Sequence, residues 1–196
     1  LHPSSMLRCS ILLALAAPLT AQILSGVPLR GLANESRPKA AGTDAAGSAD
    51  RLDRMLEVIR HGKAEAAFSE LRAVKNPQPA DHYLLGLMFR YGQGTDADPV
   101  AARREFKAAG EGRVLQAYLQ LAELDRAAGD WRGFEGALAQ AALLGDAGAM
   151  WQLACVLREG RRGVAKRPDR AYGWAALAAE GGQAQAKLRL RAFRND

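Results

Sequence analysis

One pattern returns three times in this chain and leaves few folds open. A leading residue, three intervening positions, a leucine and a small residue recur at Asp81 to Leu85-Gly86, Ala117 to Leu121-Ala122 and Ala149 to Leu153-Ala154. The leucines stand 36 and then 32 residues apart, close to the period of helix-pair repeats. A unit this short cannot bury its apolar face alone, so neighbours stack into a solenoid, which offers a long binding surface. The expectation is an all-α fold, an α-α superhelix (solenoid) of about four helix pairs, that binds and does not catalyse.

Composition agrees. Apolar residues make up 48% of the 196, enough for a continuous core, while aromatics are scarce at 6%. Abundant Ala and Gly let helices approach closely. No long apolar-polar alternation points to a β-sheet.

The first residues read as an address. Met6, Leu7 and Arg8 form a short basic lead, Ile11 to Ala17 an apolar stretch, and Leu19-Thr20-Ala21 a cleavage site with a small residue before the cut. Residues 1–21 are therefore expected to be a signal peptide, and the mature protein periplasmic or secreted from a bacterium. The apolar run stops at Pro18, short of the roughly 20 residues that a spanning helix needs, so no membrane span is expected. Cys9 precedes the apolar stretch and is poorly placed for lipidation; cleavage would leave Cys155 as the remaining cysteine and no internal disulfide.

Residues 22–50 are rich in Ala, Gly, Ser and Pro and bury too little apolar surface to offset their ordering entropy. They read as a disordered linker, with residues 51–196 as the repeat domain. Leu52, Met55, Leu56 and Ile59 have helical spacing up to His61-Gly62, and Ala64, Ala67, Phe68 and Leu71 continue it until Asn76-Pro77. Pro79 and Asp81 then open the next helix, where proline and an acid are favoured.

These residues resemble the SEL-one-like repeat family, a tetratricopeptide-like group of α-solenoids. Its pattern of Leu-Gly, an aromatic, a Gly-containing loop, Lys-Ala, Trp-Tyr, Ala-Ala and a closing Gly is met by Leu85, Gly86, Phe89, Gly92 and Gly94, then Ala108, Ala109 and Gly112. A later unit supplies Ala171, Trp174, Ala178, Ala179, Gly182 and Ala186, while the middle unit keeps Ala141-Ala142, Gly145 and Ala149 around a loop shortened to Ala128-Gly129-Asp130. The likeness covers roughly residues 81–190, with Arg167 standing where the family usually has Asp. It implies a helical repeat fold and a core position for Trp174. Leu190 falls where a fourth repeat's leucine would stand, so residues 187–196 are expected to form a capping helix.

The first helix of each repeat carries the candidate site. With Asp81, Ala117 and Ala149 as position 0, positions 4, 5 and 8 share the core side, and positions 2, 3, 6, 7 and 10 the opposite side. That opposite side includes Tyr83, Leu87, Leu119, Glu123, Trp151 and Cys155 and is mostly apolar. It reads as a groove for a partner helix or extended peptide; the plainer reading is that these residues pack against adjacent repeats. Position 9 is Arg90, Arg126 and Arg158. An arginine ladder clamps carboxylates, although a cation in the last helical turn is also favoured by the dipole alone.

The formal charge of +6 favours an acidic partner without calling for nucleic acid. The basic loop of Arg161, Arg162, Lys166, Arg167 and Arg170 reads as a solvated turn. His2, His61 and His82 have no metal-ligand spacing, and no nucleophile elbow or phosphate loop appears, so neither catalytic residues nor a metal or cofactor is expected. Relatives of the family that bind β-lactams are cysteine-rich, and this chain lacks their paired cysteines. The sequence thus points to an exported adaptor that binds another protein, with a toxin-plugging immunity protein as the chief alternative and a β-lactam-binding hydrolase as a remote one.

Overall fold

Small first-helix positions, N-terminal prolines and Asp caps dictate a run of short helices, and the computed structural model shows one. It describes residues 44–194. Four antiparallel pairs follow in order: α1 (Asp44–Arg60) with α2 (Ala64–Arg72), α3 (Pro79–Tyr91) with α4 (Pro99–Glu111), α5 (Leu115–Ala127) with α6 (Trp131–Leu143), and α7 (Ala147–Glu159) with α8 (Pro168–Glu180). A ninth helix, α9 (Ala184–Arg194), closes the array. The described residues form no named strand, only one isolated bridge between Arg161 and Val164.

The chemistry of the helix starts is visible in the sequence. The Asp98 carboxylate accepts from Val100 and Ala101 at 2.9 Å, Asp130 from Gly133 at 2.9 Å, and Asp146 from Ala149 at 2.5 Å. Each satisfies backbone donors that have no partner inside the helix. Proline opens α3, α4 and α8, where its missing N–H costs nothing.

Two boundaries differ from those read above. The first helix starts at Asp44, seven residues before Arg51, because the Ala-rich stretch read as the end of the linker has the propensity to continue the helix backwards. The last helix starts at Ala184, not residue 187. It repeats the leading Ala and the Leu of the three-fold pattern, with Ala186 fully buried and Leu190 packed on the core, but Arg191 stands in the small-residue slot. The leader at 1–21 and most of the linker lie outside the described residues, as do Asn195 and Asp196.

The recurring positions are the core. Asp81, Ala117 and Ala149 are fully buried, and so, nearly, are Leu85, Leu121, Leu153, Ala122 and Ala154. Second helices answer at their eighth residue with Phe106, Leu138 and Ala175, all buried. Where that residue is largest, the facing position is smallest: a Cβ on Gly86 would stand 2.6 Å from the Phe106 ring.

Two apolar clusters share α3. Leu84, Leu85 and Met88 join Leu52, Met55, Leu56, Ala67 and Leu71 of the first pair. Tyr83, Leu87 and Phe89 of the same helix belong to the cluster that runs on to Phe193. Phe68 bridges the two, edge-on to Phe89 with ring centroids 5.1 Å apart.

Three buried acids tie helices together. Asp81 takes the slot that Ala fills in the other repeats, and Arg51 of α1 reaches it at 3.1 and 2.6 Å. Its carboxylate also accepts the Gln78 N–H at 2.8 Å, so it caps its own helix. Glu105 of α4 meets His82 of α3 at 2.8 Å and Arg104 at 3.0 Å. Asp125 of α5 pairs with Arg103 of α4. A buried acid without such a partner would lose several kcal/mol.

Candidate functional site

In a stacked array the first helices lie side by side and share one face. The groove residues divide into three groups on that face. Tyr83, Leu87, Trp151 and Cys155 are buried, each between 5% and 8% exposed. Tyr83 packs on Phe106 with centroids 5.9 Å apart. Trp151 lies 5.2 Å from the Phe193 ring of α9. These four are therefore core residues and not apolar anchors held out to a partner. The helical wheel assigned them to an open face, but a first helix inside a stack is covered on both flanks, by its own second helix and by the next repeat.

The second group is the arginine ladder, which is engaged within the chain. Arg90 donates to Gln120 of the following first helix and stands 5.2 Å over the Tyr91 ring. Arg158 lies 4.6 Å over Phe193, again in the following repeat. Arg126 pairs with Glu123 one turn back, at 2.6 Å. Two of the three rungs thus join consecutive repeats, while Arg126 is held within its own helix. All three are partly exposed.

The third group is what remains open. On α5, Leu119, Gln120, Glu123, Leu124 and Arg126 are all partly exposed on one face. The matching positions of α3, Tyr83, Leu84, Leu87 and Met88, are buried, as are Trp151, Cys155 and Val156 on α7. The middle repeat, the most divergent in sequence, is where the first-helix face stays accessible. It offers two leucines flanked by an Arg–Glu pair.

Electrostatics follows burial. Burial pushes the Tyr83 hydroxyl up to about 12, with a smaller push from Tyr91 and a counter-pull from Arg90. Burial also raises the Asp125 carboxyl, more than the hydrogen bond from Arg103 lowers it, and Asp130 adds to the rise. The Arg51 guanidinium is raised by its hydrogen bond to Asp81.

Trp174 packs against the core, as the resemblance implied, but from its rim. It is half-buried on α8 and lines a shallow outward hollow with Arg170, Gly173, Ala176 and Leu177. The buried acids went unread in the sequence, although the signal was there: Asp81 and Asp125 both occupy core positions of the repeat. Among the described residues, no group of three His, Cys, Asp or Glu is placed to hold a metal ion. No described helix is long and apolar enough to cross a membrane.

Solved structures share this architecture. One is a protective antigen present in uropathogenic Escherichia coli strains that displays an SLR fold, at TM-score 0.53 and 23% identity over 67% of this chain. This chain spans 30% of that protein's length. Another is a Sel1 repeat protein from Oxalobacter formigenes, at TM-score 0.57 and 21% identity over 86% of this chain and 73% of that one. No family model and no curated protein matches the sequence. The likeness is one of fold: an all-α solenoid of the Sel1-repeat kind, as the residues above implied.

Proposed function

We propose that this solenoid of the Sel1-repeat fold is an adaptor that binds another protein through the accessible first-helix face of its middle repeat. One observation carries this reading. Leu119 and Leu124 stay partly exposed on α5, while the matching residues of α3 and α7 are buried. Neighbouring helices frame this opening, and the helical-repeat architecture uses such faces for partner segments. The signal-like segment Met6 to Ala21 supports placing the adaptor in the periplasm or outside a bacterial cell.

The mechanism is recognition by shape and charge. A partner helix or strand lays apolar side chains against Leu119 and Leu124, while the Arg126–Glu123 pair sets orientation at the rim. Rim charges of this kind govern encounter rate and register more than affinity. An immunity-type plug for a toxin would use the same opening, and the identity of the captured partner separates the two roles.

A photo-crosslinking residue at Leu119 or Leu124 is the test, with exposed Gln140 on α6 as the control. One partner should be captured at both α5 positions and not at Gln140. Equal capture at all three, or capture only at Gln140, would overturn the assignment. N-terminal sequencing of the protein from a cell-envelope fraction should begin near Gln22; an intact leader in the cytoplasm would refute export.

A further inference from the structure

We infer a second, separate docking surface at the α7–α8 loop, built for an acidic segment of a partner protein that carries a bulky apolar residue. The loop is rigid. Arg161 and Val164 exchange both backbone hydrogen bonds, at 3.0 and 2.7 Å, and the Arg167 N–H donates to the Leu157 carbonyl at 2.8 Å. Gly163 supplies the positive φ of 86° that closes the turn, and Val164 is buried beneath it. The loop therefore holds its backbone in a defined turn from which its side chains project.

Those side chains are mostly cations. Arg161 lies 4.9 Å over Trp131 and pairs with Glu159 at 2.6 Å; Arg167 pairs with Glu135 of α6 at 3.1 Å. Both are held in place by contacts across helices. Arg162, Lys166 and Arg170 are exposed and have no ion-pair or hydrogen-bond partner among the described residues. Arg132 of α6 extends the patch, with its Cβ 4.0 Å from where a Cβ on Gly163 would stand.

Fold stability does not account for this concentration. Arg132 sits in the first turn of α6 just after the Asp130 cap, and Arg167 and Arg170 flank the start of α8, whose first turn holds Asp169. Cations at helix N-termini oppose the dipole and cost stability. The contact between Arg167 and Glu135 joins the start of α8 to α6, and there the exposed Arg132, Arg162, Lys166 and Arg170 outnumber Asp130 and Asp169 in one field. Such a field gains its compensation when an anion arrives.

The neighbouring hollow narrows the choice of anion. Arg170 shares it with Gly173, Trp174, Ala176 and Leu177. Leu177 is 47% exposed and Tyr172 next to the hollow is 37% exposed. Carboxylates fit the planar Arg forks, and a Leu, Phe or Trp of the same segment fits the hollow. A membrane would need a bulky apolar tip to insert, and the loop's one bulky apolar residue, Val164, is buried, leaving only Ala165 exposed. Nucleic acid would favour a stripe of cations along the solenoid, whereas Arg90 and Arg126 are engaged elsewhere.

The test uses the full chain and a fluorescent twelve-residue peptide of alternating acids and apolar residues with one Trp, read by anisotropy. A Gln-for-Glu version, single-stranded DNA and phosphatidylglycerol vesicles are the comparisons. The acidic peptide should bind and weaken as salt rises. The triple Arg162→Gln, Lys166→Gln, Arg170→Gln variant should weaken it at least about tenfold, and Leu177→Asp should do likewise while circular dichroism stays unchanged. Equal binding of the neutral peptide, or no loss in either variant, overturns the proposal. Tighter binding of DNA or vesicles that the peptide does not displace overturns it too. Crosslinking at Leu119 probes a different surface, so either proposal can fail alone.

Discussion

Gly86→Ala isolates the packing that sets the spacing between first and second helices. The added methyl carbon would stand 2.6 Å from two carbons of the Phe106 ring and 3.1 Å from a third. Those are distances that non-bonded carbons do not tolerate. The ring cannot swing away into solvent, because Phe106 is fully buried and Tyr83 packs beside it. Overpacking of this kind costs about 1–3 kcal/mol, and the full burial of the ring places it near the upper end. Replacing Gly by Ala inside a helix returns about 1 kcal/mol of propensity. The net expectation is a loss of about 2 kcal/mol, or about 4–8 °C in melting temperature for a domain of this size. Thermal and urea denaturation followed by circular dichroism measure it. Phe106→Leu in the same chain should relieve the clash, so the double variant should lose less than the two singles together, by more than about 0.5 kcal/mol. A higher melting temperature for Gly86→Ala alone, or strict additivity in the double variant, would mean that the ring does not lock the pair.

Three further outcomes follow. Arg51→Met leaves Asp81 buried without its partner and should cost about 3–5 kcal/mol in urea denaturation, whereas Arg51→Met with Asp81→Leu should recover most of that; equal losses would show that the pair does not act as a unit. Trp151→Ala should cost about 3–5 kcal/mol and strip hydrogen-exchange protection from α9, because Phe193 rests on the indole; a loss below about 1 kcal/mol would return Trp151 to the partner surface. Tyr83 keeps its proton up to about 12 in the fold but releases it near 10 when unfolded, so its contribution is complete below pH 10 and lost as pH rises towards 12. Tyr83→Phe should flatten that alkaline decline, and an unchanged slope would contradict the burial argument.

The repeat grammar was legible because it is a matter of spacing. Leu85, Leu121 and Leu153 each mark a buried helix position, and the signal of Pro79 with Asp81 placed the start of α3. The site was less legible. A helical wheel knows one buried side, so it assigned Tyr83, Leu87, Trp151 and Cys155 to an open face, while the following repeat and the second helix cover them. Local sequence holds no record of that cover, because it comes from residues about 20 to 40 positions away, such as Phe106 over Tyr83 and Phe193 over Trp151. Two of the three arginines have non-local partners as well: Arg90 and Arg158 each reach into the next repeat, whereas Arg126 pairs locally with Glu123. Trp174 shows the converse. A family's aromatic position suggested full burial, but the indole packs on the core with one side open to the outward hollow of α8.

The division of the core through α3 has a mechanical consequence. That helix has no solvent side to speak of, since one flank serves the first pair and the other serves the rest of the array. It is a watershed between two folding units that a single helix must satisfy at once. Opening the first pair removes the cover from Leu84, Leu85 and Met88 but leaves Tyr83, Leu87 and Phe89 docked on the array. The chain therefore has a seam, closed by the Arg51–Asp81 bond and the Phe68–Phe89 edge contact. Under load the molecule should part there first, shedding α1 and α2 as a unit while the α5 face and the basic loop, both on the far side of the seam, keep their shape.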